Sequence, residues 1–455
     1  MKALKLICFT FIISINAFGQ PDKTYTSLDD ALKHYEDVYK LRLTAEHDTA
    51  FPSGIVYLPH LTELDLGYNE IKRIPGSIGK LTNLKTLVLE SNQITALPEG
   101  IGKLINLTTL KLFDNKLTTL PKSFGNLTAL TELILSDNHL TSFPACLTRL
   151  TNLKTLYING NSINTLPDSI GNLTSLTELC LNFNHLTTLP ESFSNLTQLT
   201  RLELKGNNIT SLPDGISRMT NVKEVDLSSN NMVTLPVNIS KLTGITSLIL
   251  ATNKMVSLPV SITQISGLTT IDLSFNQFTS LPNEMGNLSN LTMLDLKYNK
   301  LTSFQVSICK FTGLKSLSLD GNQIVTLPER IGDLVNLEEL SLDGNKLAIV
   351  PDGITKLTNL KYLRINNNML TRLPENIGNL KNLKALTLDN NHLVTLPASM
   401  SNLGNLEKLH LQGDQLTILP KCVTTLTNLT ELDIKYNKKR HLTPAQKQFA
   451  DLRRY

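Results

Sequence analysis

The chain is 455 residues long, 41% hydrophobic, 18% charged and 5% aromatic, with no Trp. That apolar content excludes a disordered chain. With 43 basic against 39 acidic residues the net charge is only +4, too small to select nucleic acid or an anionic membrane by itself, so any electrostatic argument is local. At the amino end, Lys2 and Lys5 precede an apolar run from Leu6 to Ile15 and the small residues Ala17 and Gly19, the pattern of a signal peptide (1–19) cut after Gly19. The run falls well short of the ~20 residues that cross a bilayer, and no later segment is long enough. The mature chain is therefore expected to be exported to the periplasm, the cell surface or the medium, with no membrane span. Ser27, with Asp29 and Asp30, opens a predicted capping helix over 27–37, with Leu28, Leu32 and Tyr35 at helical spacing. Val38, Leu41, Leu43, Phe51 and Pro52 follow as a degenerate strand unit, completing an amino-terminal cap over 20–60.

From 61 to 437 one register rules the chain. Asn recurs every 23 residues from Asn69 to Asn437, with Asp414 in the single missing place, and Pro keeps the same beat from Pro52 to Pro420, broken at Gln305. That gives seventeen full repeats without an insertion. Leu61, Leu64, Leu66 and Asn69 read L-x-x-L-x-L-x-x-N, and Leu84 to Asn92 repeats the pattern. Positions 4 and 6 of each repeat alternate as in a strand that buries one face. The Asn at position 9 can both donate to and accept from the backbone of adjoining turns. Leu97-Pro98-x-x-Ile101-x-x-Leu104 suits a short 3₁₀ or helical turn. An ionised Asp414 accepts but does not donate, so it is expected to leave a carbonyl without its donor. At the carboxy end, Thr443 and Pro444 open a predicted capping helix within 438–455, with Phe449 and Leu452 toward the last repeat.

The motif resembles the leucine-rich repeat family over nearly the whole chain. Its Leu-Pro-x-x-Ile-Gly-x-Leu form is similar to that of the Ras-pathway leucine-rich scaffold and of bacterial exported proteins. The resemblance implies an α/β solenoid: a horseshoe with a parallel sheet on the concave face, short 3₁₀ or helical turns on the convex face, and helical caps at both ends. It also implies binding of a protein partner.

No phosphate-cradling loop, zinc-ligand spacing or nucleophile elbow is present, so no catalytic residue, metal site or cofactor is expected. Past the signal peptide, Cys146, Cys180, Cys309 and Cys422 are at least two repeats apart, beyond the ~7 Å that a disulfide allows between Cα atoms, so all four are expected as thiols. Only Cys180, at position 5, is expected on the concave face. Positions 3, 5, 7 and 8 of the seventeen repeats carry eighteen acids and seven bases, a net −11. This face disfavours nucleic acid and suits a basic protein, although acids are also ordinary fillers of a wet strand surface. Within it, Val88, Ile134, Tyr157 and Cys180 at position 5, Phe113 at position 7 and Phe183 at position 8 are the candidate ligand-binding residues, an apolar stretch interrupted by Lys111. The reading is a non-enzymatic binding protein. Its alternatives are a cell-surface glycan binder or adhesin, against which the lack of Trp counts, and the repeat module of an enzyme-linked effector or receptor.

Overall fold

Each repeat folds alike because its apolar residues are spaced first by two and then by about three. Leu64 and Leu66 are wholly buried, while Glu63 and Asp65 between and beside them face outward on the strand Glu63–Asp65. Past the strand, Pro98 at φ −76° leads into the 3₁₀ turn Glu99–Lys103, whose buried Ile101 packs inward and whose carbonyl accepts the Leu104 N–H. At the turn of Gly102 the next repeat packs closely enough to require glycine, since a Cβ there would lie 2.3 Å from the Ser123 carbonyl oxygen; the equivalent position holds Thr148 and Cys309 elsewhere. Where the proline beat fails, Gln305 docks instead, its Nε2 donating to the Leu281 carbonyl at 2.6 Å and its Oε1 accepting the Leu281 N–H at 2.5 Å.

The computed structural model describes residues 22–438 and Gln448. The expected signal peptide lies outside them, as does the body of the helix expected over 438–455. By its contacts the chain divides into two units, Met1–Asn138 and His139–Tyr455. Among the described residues, the first holds six strands, all parallel, from Thr24–Tyr25 to Glu132–Ile134. The strand Thr24–Tyr25 was not legible in the sequence; it pairs with Lys40–Arg42 and covers the first edge. The capping helix is shorter than its pattern suggests. It runs Leu28–Lys33, capped by Ser27, and breaks at His34 before a 3₁₀ turn at Tyr35–Asp37. Among the described residues, the second unit holds thirteen parallel strands, from Thr155–Tyr157 to Glu431–Asp433, joined by 3₁₀ turns and by one α-helical turn at Lys421–Thr424.

The position-9 side chains form a buried ladder in both units. Asn322 is typical: Nδ2 donates to the Leu296 and Leu319 carbonyls at 2.9 and 3.0 Å, and Oδ1 accepts the Leu301 N–H at 3.0 Å. Asp414 corrects the sequence expectation in two ways. Its Oδ1 accepts the Leu393 N–H at 3.0 Å as an Asn would, but the carbonyls that lack its donor are not orphaned. Leu388 O still receives Asn391 Nδ2, and Leu411 O still receives Asn437 Nδ2, both at 2.7 Å. The unmet atom is Asp414 Oδ2 itself, buried with no hydrogen-bond partner among the described residues. Burial pushes this carboxyl up to about 7, so it is not fully ionised at neutral pH.

Candidate functional site

The strand face is first of all a set of backbone caps. The N–H of position 7, just past each strand, has no ladder acceptor of its own and would otherwise face the surface unpaired. In many of the repeats one of two devices satisfies it. In the first, an Asp at position 5 reaches two residues ahead: Asp65 to Gly67, Asp226 to Ser228, Asp272 to Ser274, Asp295 to Lys297 and Asp433 to Lys435, at 2.8–3.0 Å. In the second, a position-7 side chain reaches the next repeat: Asp320 to Asp343, Asp343 to Asn366, Asn366 to Asp389 and Asp389 to Gln412, at 2.6–2.8 Å. Asn182 does the same for Lys205 at 2.7 Å. Many acids of the face are thus structural, a role that a charge count does not reveal. Others are paired, as in Lys111–Glu132, Arg201 with Glu203 and Glu224, and Lys408–Glu431. Such exposed pairs contribute little stability each.

The sequence-predicted site residues fall in both units. In the first, Val88, Lys111 and Ile134 stand side by side in register, the two apolar side chains half-buried and separated by the lysine. Phe113 lies two residues past Lys111, just beyond the strand Thr109–Lys111, and is 36% exposed. In the second, Tyr157 and Cys180 are register partners. The Tyr157 hydroxyl donates to Glu178, a bond that, with burial, raises the phenol to about 12. Cys180 sits on the face but is only 9% exposed, its Sγ donating to Glu203 at 3.2 Å. Burial above all, and the Glu203 carboxylate, raise this thiol to about 12. It is a capped, protonated floor residue and not a nucleophile. Phe183 is 57% exposed, at φ +52°, with Lys205 Nζ 5.9 Å from its ring. Cys309 and Cys422 are buried thiols, both pushed up by desolvation.

One cluster escaped the sequence reading. Phe275 and Tyr298, at position 8 of successive repeats, stack with centroids 4.5 Å apart and planes inclined by 22°. The signal was present in the position-8 column, which also holds Phe183, but following position 5 along nearby repeats leads away from it. Among the described residues no group of three or more His, Cys, Asp or Glu is placed to hold a metal, and no helix is long and apolar enough to cross a membrane.

Comparison with known proteins agrees with this geometry. A family model described as a leucine-rich repeat region matches residues 78–158, 144–230 and 348–454. Two further leucine-rich repeat models match 37–94 and 266–324, and 336–357. A solved leucine-rich repeat protein of Leptospira interrogans is 33% identical, with a TM-score of 0.69, and the match covers 94% of this chain and 96% of that one. The ectodomain of a plant membrane receptor kinase from Arabidopsis thaliana, solved in complex with Casparian strip integrity factor 2, is 29% identical with a TM-score of 0.74. That match covers 92% of this chain and 52% of the ectodomain. The functional domain of InlJ from Listeria monocytogenes is 28% identical, with a TM-score of 0.65, covering 79% of this chain and 76% of that domain. No curated protein matches the sequence.

Proposed function

The chain belongs to the leucine-rich repeat family, and from that premise we propose that it is an exported, non-enzymatic module whose strand faces bind a protein partner. The observation that carries this reading is the contrast on the faces themselves. Most acids there serve backbone or neighbour, whereas Phe113 and Phe183 are large, exposed and tied to no polar duty. Exposed aromatic side chains on a rigid sheet are where interface energy concentrates. Val88, Phe113 and Ile134 are the proposed contacts of the first unit, and Tyr157, Cys180 and Phe183 those of the second. The complex formed by the plant ectodomain supports a protein or peptide as the class of ligand.

A pull-down from the native source with the mature chain, followed by affinity measurement on the captured protein, tests this. Phe113→Ala with Phe183→Ala is expected to weaken that affinity at least tenfold while the circular dichroism spectrum and melting temperature stay unchanged, because both rings stand outside the core. Tyr436→Ala, at a strand-end position still more exposed than either phenylalanine, is the control and is expected to have no effect. Equal affinities for all three proteins, or capture of glycan and no protein, would refute the proposal. Export is tested by intact mass. The protein recovered outside the cytoplasm is expected to begin at Gln20 and, once denatured to open its buried thiols, to take up four alkyl groups without prior reduction; a chain starting at Met1, or one that in denaturant alkylates only after reduction, contradicts the reading.

A further inference from the structure

The stretch of the second unit around Phe275 and Tyr298 combines three features that occur together nowhere else on the described strand faces. First comes the stacked pair, with Phe275 46% and Tyr298 53% exposed. It already attracts one cation of the chain, since Lys297 Nζ lies 6.0 Å from the Phe275 ring centroid. Beside the pair there is a bare shelf. Position 8 of the next two repeats is Gly321 and Gly344, both at positive φ (+63° and +66°), which the strand-end turn demands of every repeat. At Gly321 glycine is needed twice over, because a Cβ would lie 2.4 Å from the Tyr298 ring, whereas around Gly344 a Cβ would meet nothing closer than 3.6 Å. The third feature is unbalanced charge. Lys297 pairs with Asp295 at 3.1 Å, but Asp272, Asp320, Glu339 and Asp343 form no salt bridge among the described residues. Ser341 Oγ, on the strand beside them, is buried with no hydrogen-bond partner there, so one polar atom of this stretch is left unsatisfied by the chain itself.

Resting on the reading of the strand faces as protein-binding surfaces, we propose that this shelf receives an arginine side chain of an extended basic segment, its guanidinium set against the Phe275–Tyr298 pair and facing the Asp320 and Asp343 carboxylates. Arginine suits the place better than lysine. Its flat, weakly hydrated cation stacks on aromatic rings and forks to carboxylates at once, while an ammonium does only one of these well. The open floor at Gly344, beyond the Tyr298 ring that lies over Gly321, lets the peptide backbone approach without meeting a side chain. Neutral sugars also lie on aromatic platforms and can donate hydroxyls to carboxylates, but they carry no charge to offset Asp272, Asp320, Glu339 and Asp343, which cap backbone or face solvent without a cationic partner in salt-bridge range among the described residues.

The test uses the mature chain and a fluorescein-labelled pentapeptide carrying two arginines, read by fluorescence anisotropy at low salt. The same peptide with citrulline in place of arginine keeps the shape and loses the charge. The arginine peptide is expected to bind, and both the citrulline peptide and the Tyr298→Ala protein are expected to bind or be bound at least tenfold more weakly. Tyr298→Phe should keep most of the affinity. Asp320→Asn with Asp343→Asn should lose it without unfolding, because the Asn Oδ1 preserves the caps on Asp343 and Asn366. Phe113→Ala with Phe183→Ala should leave it intact, so that failure of the first-proposed contacts and failure of this shelf are told apart. The proposal is overturned if the arginine peptide shows no binding up to millimolar concentration, if its binding ignores Tyr298→Ala, or if a neutral oligosaccharide replaces it with the same dependence on Tyr298.

Discussion

Asp414→Asn is expected to stabilise the carboxy-terminal repeats at pH 8 and to change them little at pH 4. In the folded chain the carboxyl titrates near 7, against an ordinary 3.8. Below about pH 4 it is neutral in both the folded and the unfolded chain, and the protonated Oδ2 can donate as the amide nitrogen of the other rungs does. Between about pH 4 and 7 the unfolded chain has released the proton and the folded chain has not. The unfolded state then binds fewer protons, so stability falls as pH rises, and the loss is complete above pH 7. Three units correspond to about 4 kcal/mol at most, and the price of an unsatisfied buried group, about 1–3 kcal/mol, gives the lower range. Replacing the acid with Asn removes the titration altogether. Because stability in a stacked array is local, the sensitive measurement is hydrogen exchange of the amides between Leu383 and Asn437 at pH 5 and pH 8. Wild-type protection there should drop with pH, once intrinsic exchange is corrected for, and the Asn variant's should not. Parallel pH dependence in the two proteins would mean that Asp414 has a partner the ladder does not supply.

Asn322→Ala is expected to destabilise by about 3 kcal/mol or more, and Asn322→Asp by clearly less at pH 5. The reason lies in which half of the amide is irreplaceable. The Leu296 and Leu319 carbonyls each receive a second rung, from Asn299 Nδ2 at 3.0 Å and Asn345 Nδ2 at 2.9 Å. The Leu301 N–H has only Asn322 Oδ1. Alanine orphans that buried donor, at about 1–3 kcal/mol, and leaves a void besides. Asp keeps the acceptor and, when protonated, restores a donor. Denaturant melts of the three proteins at pH 5 and pH 8 decide it. Should Ala and Asp cost the same at pH 5, acceptance from the Leu301 N–H is not the essential duty. The same asymmetry explains how the chain tolerates Asp at 414.

The sequence revealed the repeat because each position has one physical duty repeated in register. Leu64 and Leu66 must be apolar and Asn69 must be bifunctional, so the pattern survives any local variation. The face was less legible because its duties alternate. Asp272 and Asp320 look alike in a charge count, yet one caps its own turn and the other caps a neighbour. Cys180 obeys the alternation that puts position 5 outward, but nothing in a one-dimensional reading announces that Glu203 folds over it. Phe275 and Tyr298 needed the knowledge that position 8 is left-handed, which the backbone alone supplies. At Asp414 the residue type was right and its protonation was not, because burial is a property of the stack and not of the letter.

The two capping devices give the array a grammar. A repeat whose position-5 Asp caps its own turn is self-contained: the repeats holding Asp226 and Asp272 could trade places and every position-7 N–H among them would keep its acceptor. The run from Asp320 to Gln412 has no such freedom. There each repeat closes the one that follows, so the sense is fixed from amino to carboxy end. Transplanting the repeat of Asp343 behind that of Lys297 would leave the Asp343 N–H facing a side chain that only donates. Duplication or shuffling of this chain during evolution is thus permitted word by word in one stretch and only phrase by phrase in the other.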